Sequence, residues 1–193
     1  MKLSNVLDRL FVSKTRQKLI NLFFSHPTEL YYVRQLVRLA EEEINSVRRE
    51  LDNLKKANLI NSEWRSNRLY YWANLSHPLL VDLVSLASKT SGFGLALQEK
   101  KVGQVRFCAA DYFFLLNQPK SKNAIDILIV GDVSVKEVDH IIKAEEESRG
   151  REINYMIMDR AEIQIRRLKR DPFMVDFFLS QPLVIIGSPK DIL

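Results

Sequence analysis

Asn45, Ser46, Arg48 and Arg49 sit together in the sequence, outside an apolar series of Ile44, Val47, Leu51, Leu54 and Ala57. On a helix that series buries one side and turns those four side chains outward, along with Asp52 and Asn53. A guanidinium so placed can donate two parallel hydrogen bonds to the O6 and N7 of guanine. An Asn amide can pair in the same way with adenine, and a Ser hydroxyl can reach a base or a phosphate. Further on, the polar stretch Arg65, Ser66, Asn67, Arg68 offers candidate phosphate or minor-groove contacts. Lys14 and Arg16 can add backbone neutralisation, as can Lys55 and Lys56. The competing reading is a solvated face on which Arg48 and Arg49 pair with Glu50, Asp52 or the run Glu41 to Glu43.

Other reactive side chains are sparse. Cys108 is the single cysteine, which excludes an internal disulfide, and His26, His77 and His140 are too scattered for a zinc spacing. Asp126, in the run from Ile125 to Asp132, is the one acid placed at the start of an apolar strand. The basic cluster Arg166, Arg167, Lys169 and Arg170 lies beside Asp171 at helical spacing, the pattern of a solvated face. No metal site, cofactor or catalytic residue is expected.

The elements that must hold these groups follow from periodicity. Leu19, Ile20, Leu22, Phe23 and Phe24 mark a first helix, with Ser13 as its N-cap and Pro27 beyond its end. Leu30 to Tyr32 form a short extended piece, and Val33, Leu36, Val37 and Ala40 one face of a second helix. Glu41 to Glu43 make the turn. The third helix takes Asn45 as its N-cap and ends near Asn58, a residue that tolerates the left-handed conformation. Ile60 to Trp64 and Leu69 to Trp72 then read as a hairpin around the basic tip. Tyr70, Tyr71 and Trp72 could stack on bases, but alternation along a strand turns some of them to core or dimer packing.

Three helices, a tight turn before the third and a hairpin with a basic tip resemble the winged helix-turn-helix of ArsR-type repressors. The resemblance covers residues 12–75. It rests on Tyr32, Val33, Arg34 and Leu36, on Asn45 through Leu51, and on Ala57, Asn58, Leu59 and Ile60. It implies that the third helix enters the major groove of double-stranded DNA while the hairpin reaches the adjacent backbone or minor groove. It also implies a homodimer, since paired half-sites require paired recognition helices.

Ser76, His77 and Pro78 read as the start of a connector helix running to about Ser88, and Thr90 to Gly94 as a break. Beyond it, strands at Val105 to Leu116, Ile125 to Val130 (ended by Gly131), Ile153 to Met158 and Leu183 to Ile186 alternate with helices at Val135 to Ser148, Glu162 to Lys169 and Phe173 to Leu179. The run from Ile125 to Asp132 resembles the minimal nucleotidyltransferases of the polymerase-beta-like superfamily. That family holds divalent metal between two carboxylates two residues apart on a strand. Here Asp126 is kept but Ala124 stands at the first position. Cys108, Ala109, Ala110 and Asp111 replace the Gly-Ser phosphate turn, and Asn154 is the inward residue where a third acid would fall. Asp126 is therefore expected to be a structural remnant, a vestigial candidate for nucleotide contact at most.

Charge is divided unevenly. Residues 1–91 hold 14 Lys/Arg and 9 Asp/Glu, whereas 92–193 hold 15 of each, so the whole net charge of +5 lies in the first half. A basic half joined to a neutral half suits a polyanion partner for the first alone. No apolar run suits a membrane span and no secretory signal is evident, so a cytoplasmic protein without a membrane partner is expected. The fold class expected is α+β. It comprises a winged helix-turn-helix over 1–75, a connector helix over 76–91 and a degenerate nucleotidyltransferase-like α/β domain with a mixed sheet over 92–193. The expected function is that of a dimeric, DNA-binding transcriptional repressor whose second domain senses a nucleotide or protein effector or serves assembly. The alternatives are a nucleotidyltransferase acting on a small molecule or protein, and a winged-helix protein-interaction module.

Overall fold

The computed structural model describes residues 11–118 and 124–192. The chain divides into two compact units, 1–91 and 92–193. It is a mixed α/β structure with a three-stranded sheet in the first unit and a four-stranded mixed sheet in the second.

In the first unit, α1 (Lys14–Ser25) begins at Ser13, whose hydroxyl accepts from the Arg16 amide at 3.2 Å. Its buried face, Leu19, Ile20, Phe23 and Phe24, packs on α2 (Val33–Ala40), α3 (Ile44–Lys56) and α4 (Leu80–Thr90). Leu36, Val47, Leu51, Leu54 and Val84 complete that core. Full burial of one such side chain contributes about 1.5–3 kcal/mol, so this cluster holds the helices in place. Glu41 ends α2 in the left-handed conformation, at φ 51°.

The sheet of this unit is antiparallel, in the order β1 (Tyr31–Tyr32), β3 (Arg68–Ala73), β2 (Ile60–Arg65). Pairing runs from Ile60 opposite Ala73 to Arg65 opposite Arg68, so Ser66 and Asn67 alone form the turn, with Ser66 at φ 53°. Asn58 adopts the left-handed conformation expected of it, at φ 57°.

Several boundaries differ from the sequence expectation. Asn45 is not the N-cap of α3: Glu43 takes that place without a side-chain cap bond, and Asn45 is already inside the first turn and exposed. The helix starts earlier because the Val47 amide donates to the Glu43 carbonyl at 3.0 Å. Ala57 is the exposed C-cap rather than part of the buried stripe. The connector helix starts at Leu80, since the Leu80 amide donates to the His77 carbonyl and the Leu79 amide to His77 Nδ1, closing a separate turn.

The second unit orders its strands β6 (Tyr155–Met158), β5 (Ile127–Val133), β4 (Gly103–Ala110), β7 (Leu183–Ile186). β4 is antiparallel to both neighbours, while β5 and β6 are parallel and connected through α7 (Val135–Arg149). The other helical segments among the described residues are α5 (Gly92–Ala96), α6 (Tyr112–Leu115), α8 (Arg160–Leu168), α9 (Pro172–Leu179) and 3₁₀ turns at Lys100–Val102 and Pro189–Asp191. One core layer joins Phe107, Leu128, Val130 and Met158 from the sheet to Ile163, Met174 and Phe177 from α8 and α9.

The apolar run from Val105 to Leu116 is not one strand. Asp111 breaks it by accepting from the Phe114 amide at 3.2 Å, which caps α6. β5 likewise does not stop at Gly131 but continues to Val133. There β4 passes so close that a Cβ on Gly131 would lie 2.2 Å from the Gln104 carbonyl oxygen.

Candidate nucleic-acid interface

α3 buries Val47, Glu50, Leu51 and Leu54 and exposes Asn45, Arg48, Arg49 and Asp52, with Ser46 half-buried. Its acidic neighbours have other partners. Glu50 Oε2 accepts from Arg16 Nε at 2.8 Å and from Asn53 Nδ2 at 3.2 Å. Glu42 lies 2.8 Å from Lys18 Nζ and accepts from Thr15 Oγ1 at 3.0 Å. Among the described residues, the side chains of Arg48 and Arg49 make no hydrogen bond or ion pair. The solvated ion-pair reading of those two arginines therefore finds no partner in this arrangement.

These contacts also set the protonation of the two acids. Burial pushes the Glu50 carboxyl up, but the hydrogen bonds from Arg16, Asn53 and Ser13 and the charge of Arg16 outweigh it. The net result lies below the ordinary carboxylate range. The Lys18 and Thr15 hydrogen bonds hold Glu42 low as well. Both carboxylates stay charged at neutral pH and stay bound to α1.

The β2–β3 hairpin stands beside α3, and a groove of about 710 Å³ runs between them. Arg48 and Asp52 line it from α3, Arg34 from α2, and Trp64, Asn67 and Arg68 from the hairpin. The groove thus brings Arg48, Asn67 and Arg68 together. Arg49 lies on the same exposed helix surface but outside the lining, as does Asn45. Arg65 and Arg68, with Ser66 and Asn67, also line a second concavity of about 500 Å³ at the hairpin tip.

The hairpin arginines are braced by aromatic rings. Arg68 lies over the Tyr32 ring at 5.0 Å, and Arg65 over the Trp72 ring at 5.8 Å with an ion pair to Glu63 at 3.0 Å. Such stacking leaves guanidinium edges open to a further acceptor. Tyr71 faces the core, Tyr32 and Tyr70 meet edge to face, and Trp72 is half-buried, so the three aromatics of β3 form no continuous exposed platform.

Lys14 and Arg16 are not brought into the groove. Lys14 is exposed at the start of α1, whereas Arg16 is turned to Glu50 and serves as a strut between α1 and α3. Trp64 and Arg34 also line the groove, although neither is among the contact residues expected from the sequence. Trp64 shares the strand face of Ile60 and Ser62, which predicts burial by alternation. It lies past the end of the core, however, and is 69% exposed.

In the second unit Asp126 does not resemble a free metal ligand. Its Oδ1 accepts from Arg151 Nη2 at 2.8 Å and its Oδ2 from the Asn154 amide at 3.0 Å. Ala124, two residues before it, supplies no donor atom. Among the described residues no three His, Cys, Asp or Glu side chains group as a metal site. The residues present do not fit a two-carboxylate metal clamp. Asp111, at the approximate place of the phosphate turn, is fully buried and accepts from Ser180 Oγ at 2.7 Å. Among the described residues no helix is long and apolar enough to cross a membrane. No family model, curated protein or solved structure matches the chain.

Proposed function

We propose that the protein is a cytoplasmic, dimeric transcriptional regulator that reads duplex DNA with α3 and the β2–β3 hairpin, in the manner of a winged helix. The observation that carries this reading is the state of Arg48 and Arg49. Both are exposed near the start of α3, and both lack an intramolecular acceptor among the described residues, while the nearby Glu50 and Glu42 are engaged by Arg16 and Lys18. An exposed guanidinium presents its planar fork of donors to guanine O6 and N7, and Asn45 and Ser46 lie one turn earlier on the same helix. Arg65, Asn67 and Arg68 on the hairpin supply phosphate or minor-groove contacts beside them.

In this proposal the second unit is not an enzyme and serves sensing or assembly. The surroundings of Asp126 support the non-enzymatic reading, since each of its oxygens is already engaged, by Arg151 and by the Asn154 amide, and Ala124 supplies no second carboxylate beside it. Selection of binding sites from genomic DNA fragments at two salt concentrations, with wild type and the Arg48→Ala, Arg49→Ala double variant, tests the function. Enrichment of one sequence by the wild type and its loss in the variant is the expected outcome. Equal enrichment by both, or none by either, overturns it.

A further inference from the structure

Trp64, near the end of β2, stands opposite Leu69 in the hairpin, on the sheet face that Ile60 and Tyr71 bury further down. Where that face leaves the core it becomes a wall of the groove beside α3, and the indole stays 69% exposed there. A single exposed apolar side chain means little by itself. What surrounds this one carries the argument.

The other aromatic rings of the hairpin region have partners. Tyr32 meets Tyr70 edge to face and lies under Arg68, Trp72 lies under Arg65, and Tyr71 is buried. Among the described residues, Trp64 has no ring partner, no cation over its face and no side-chain hydrogen bond. Arg34, Arg48 and Arg68 line the same groove, with Asp52 as its only lining acid. None of the three guanidiniums forms an ion pair among the described residues.

A free aromatic face flanked by unpaired cations has the chemistry to hold a nucleotide, whose base stacks on the ring while its phosphate meets a guanidinium. Phosphate alone would engage the arginines and leave the indole unused. Inside an intact duplex both faces of each base are covered by its neighbours, so the indole has nothing to stack on until a base leaves the helix. The groove of about 710 Å³ gives such a base room between α3 and the hairpin.

We infer that this groove takes an unpaired nucleobase of the DNA, stacked on Trp64, with its flanking phosphates held by Arg34 and Arg68. The inference rests on the DNA-binding reading above and narrows the substrate to duplex that carries an unpaired or extruded base beside the site read by α3. Arg48, on the α3 side of the groove, keeps the paired guanine assigned to it.

Two end-labelled DNA probes of one sequence test this on the full chain by fluorescence anisotropy at low salt. One is a blunt duplex and the other the same duplex with a single bulged adenine. The wild type is expected to prefer the bulged probe by about tenfold. Trp64→Ala should bring the ratio of the two affinities to about one, whereas Trp64→Phe, which keeps an aromatic face, should retain a preference of about threefold or more. Trp64 is exposed, so circular dichroism should be the same for all three proteins. Equal binding of both probes by the wild type, a preference that survives Trp64→Ala, or one lost as fully in Trp64→Phe would each overturn the stacking role. If the Arg48→Ala, Arg49→Ala pair still weakens both probes in that case, the DNA-binding reading stands without it. No binding of either probe by the wild type overturns both. A dimer of the chain that Trp64→Ala dissociates would overturn the inference in favour of a second copy.

Discussion

Arg16 Nε lies 2.8 Å from Glu50 Oε2, a contact that joins the first turn of α1 to the middle of α3 across 34 residues of sequence. The relationship separates two kinds of arginine in the first unit. Arg16 neutralises the one buried carboxylate of α3, and Arg48 and Arg49, to either side of the same helix turn, are left without an acceptor among the described residues. Removing the strut should therefore be felt as stability. Arg16→Ala leaves Glu50 buried with only the neutral donors Asn53 and Ser13 beside it, and the half-exposed guanidinium limits the loss to about 1–2 kcal/mol. Urea denaturation monitored by tryptophan fluorescence measures it, and a change within about 0.3 kcal/mol would show that the pair contributes nothing.

Acid should weaken the same contact. Glu50 and Glu42 both titrate below their ordinary range when folded, so each contributes stability above the unfolded carboxylate value of about 4.3. That contribution is lost as the pH falls through the depressed folded values. Denaturation midpoints of the wild type are expected to drop between roughly pH 5 and pH 3. Glu50→Gln, which cannot titrate, should show a shallower drop over the same window. Parallel curves would remove Glu50 from the explanation.

Much of this arrangement is legible in the sequence because it depends on local rules. Ser13 caps α1 since a hydroxyl before an apolar-periodic run has an amide to accept, and Asn58 turns left-handed after α3 as its short polar side chain allows. The exposure of Arg48 and Arg49 follows from the spacing of Val47, Leu51 and Leu54. What depends on distant residues is not legible: no spacing rule pairs Arg16 with Glu50 or Asp126 with Arg151. The run from Val105 to Leu116 misleads because apolar continuity does not distinguish a strand from a short buried helix, and only the Asp111 cap separates the two. Trp64 shows a further limit of local rules, since it shares the strand face of buried Ile60 yet is exposed because the core ends before it.

The hairpin arginines should affect affinity without affecting sequence preference. Arg65→Ala and Arg68→Ala each remove one candidate phosphate contact, so the slope of log affinity against log salt is expected to fall by about 1 per substitution. Arg48→Ala should instead relax specificity by about 1–3 kcal/mol at one base position. Salt titrations of each variant on one selected DNA fragment distinguish the two effects. A full-size slope retained in both hairpin variants would place the DNA elsewhere.

Asp126 is expected to matter for folding rather than for chemistry. Its carboxylate ties the start of β5 to the segment before β6 through Arg151 and the Asn154 amide. Asp126→Ala leaves that amide without its acceptor and the Arg151 charge without its partner, at a cost of about 2–4 kcal/mol. Asp126→Asn keeps an acceptor oxygen and should lose less. Thermal melting ranks the variants, and incubation with labelled nucleoside triphosphates and magnesium should give no label transfer by the wild type. Transfer that Asp126→Asn abolishes would restore a catalytic role.

Gly131→Ala should disrupt the contact between β4 and β5. The new methyl would meet the Gln104 carbonyl oxygen at 2.2 Å and Val105 Cα at 3.0 Å, both backbone atoms that cannot swing aside. The strands must separate locally, with a cost of about 1–3 kcal/mol or more.

Cys108 offers the readout for both substitutions in the second unit. Its thiol is fully buried in β4, paired with Ile129 on one side and Ile186 on the other, and burial pushes its ionisation far above the ordinary thiol range. Only the thiolate attacks a disulfide reagent, so labelling of the native chain requires the sheet to open. The labelling rate at neutral pH should therefore be slower than that of an unfolded control by a factor on the order of 10³ or more. Asp126→Ala and Gly131→Ala should each raise it, by about tenfold for every 1.4 kcal/mol of stability lost. Rapid labelling of the folded wild type would mean that β4 is not closed on both edges.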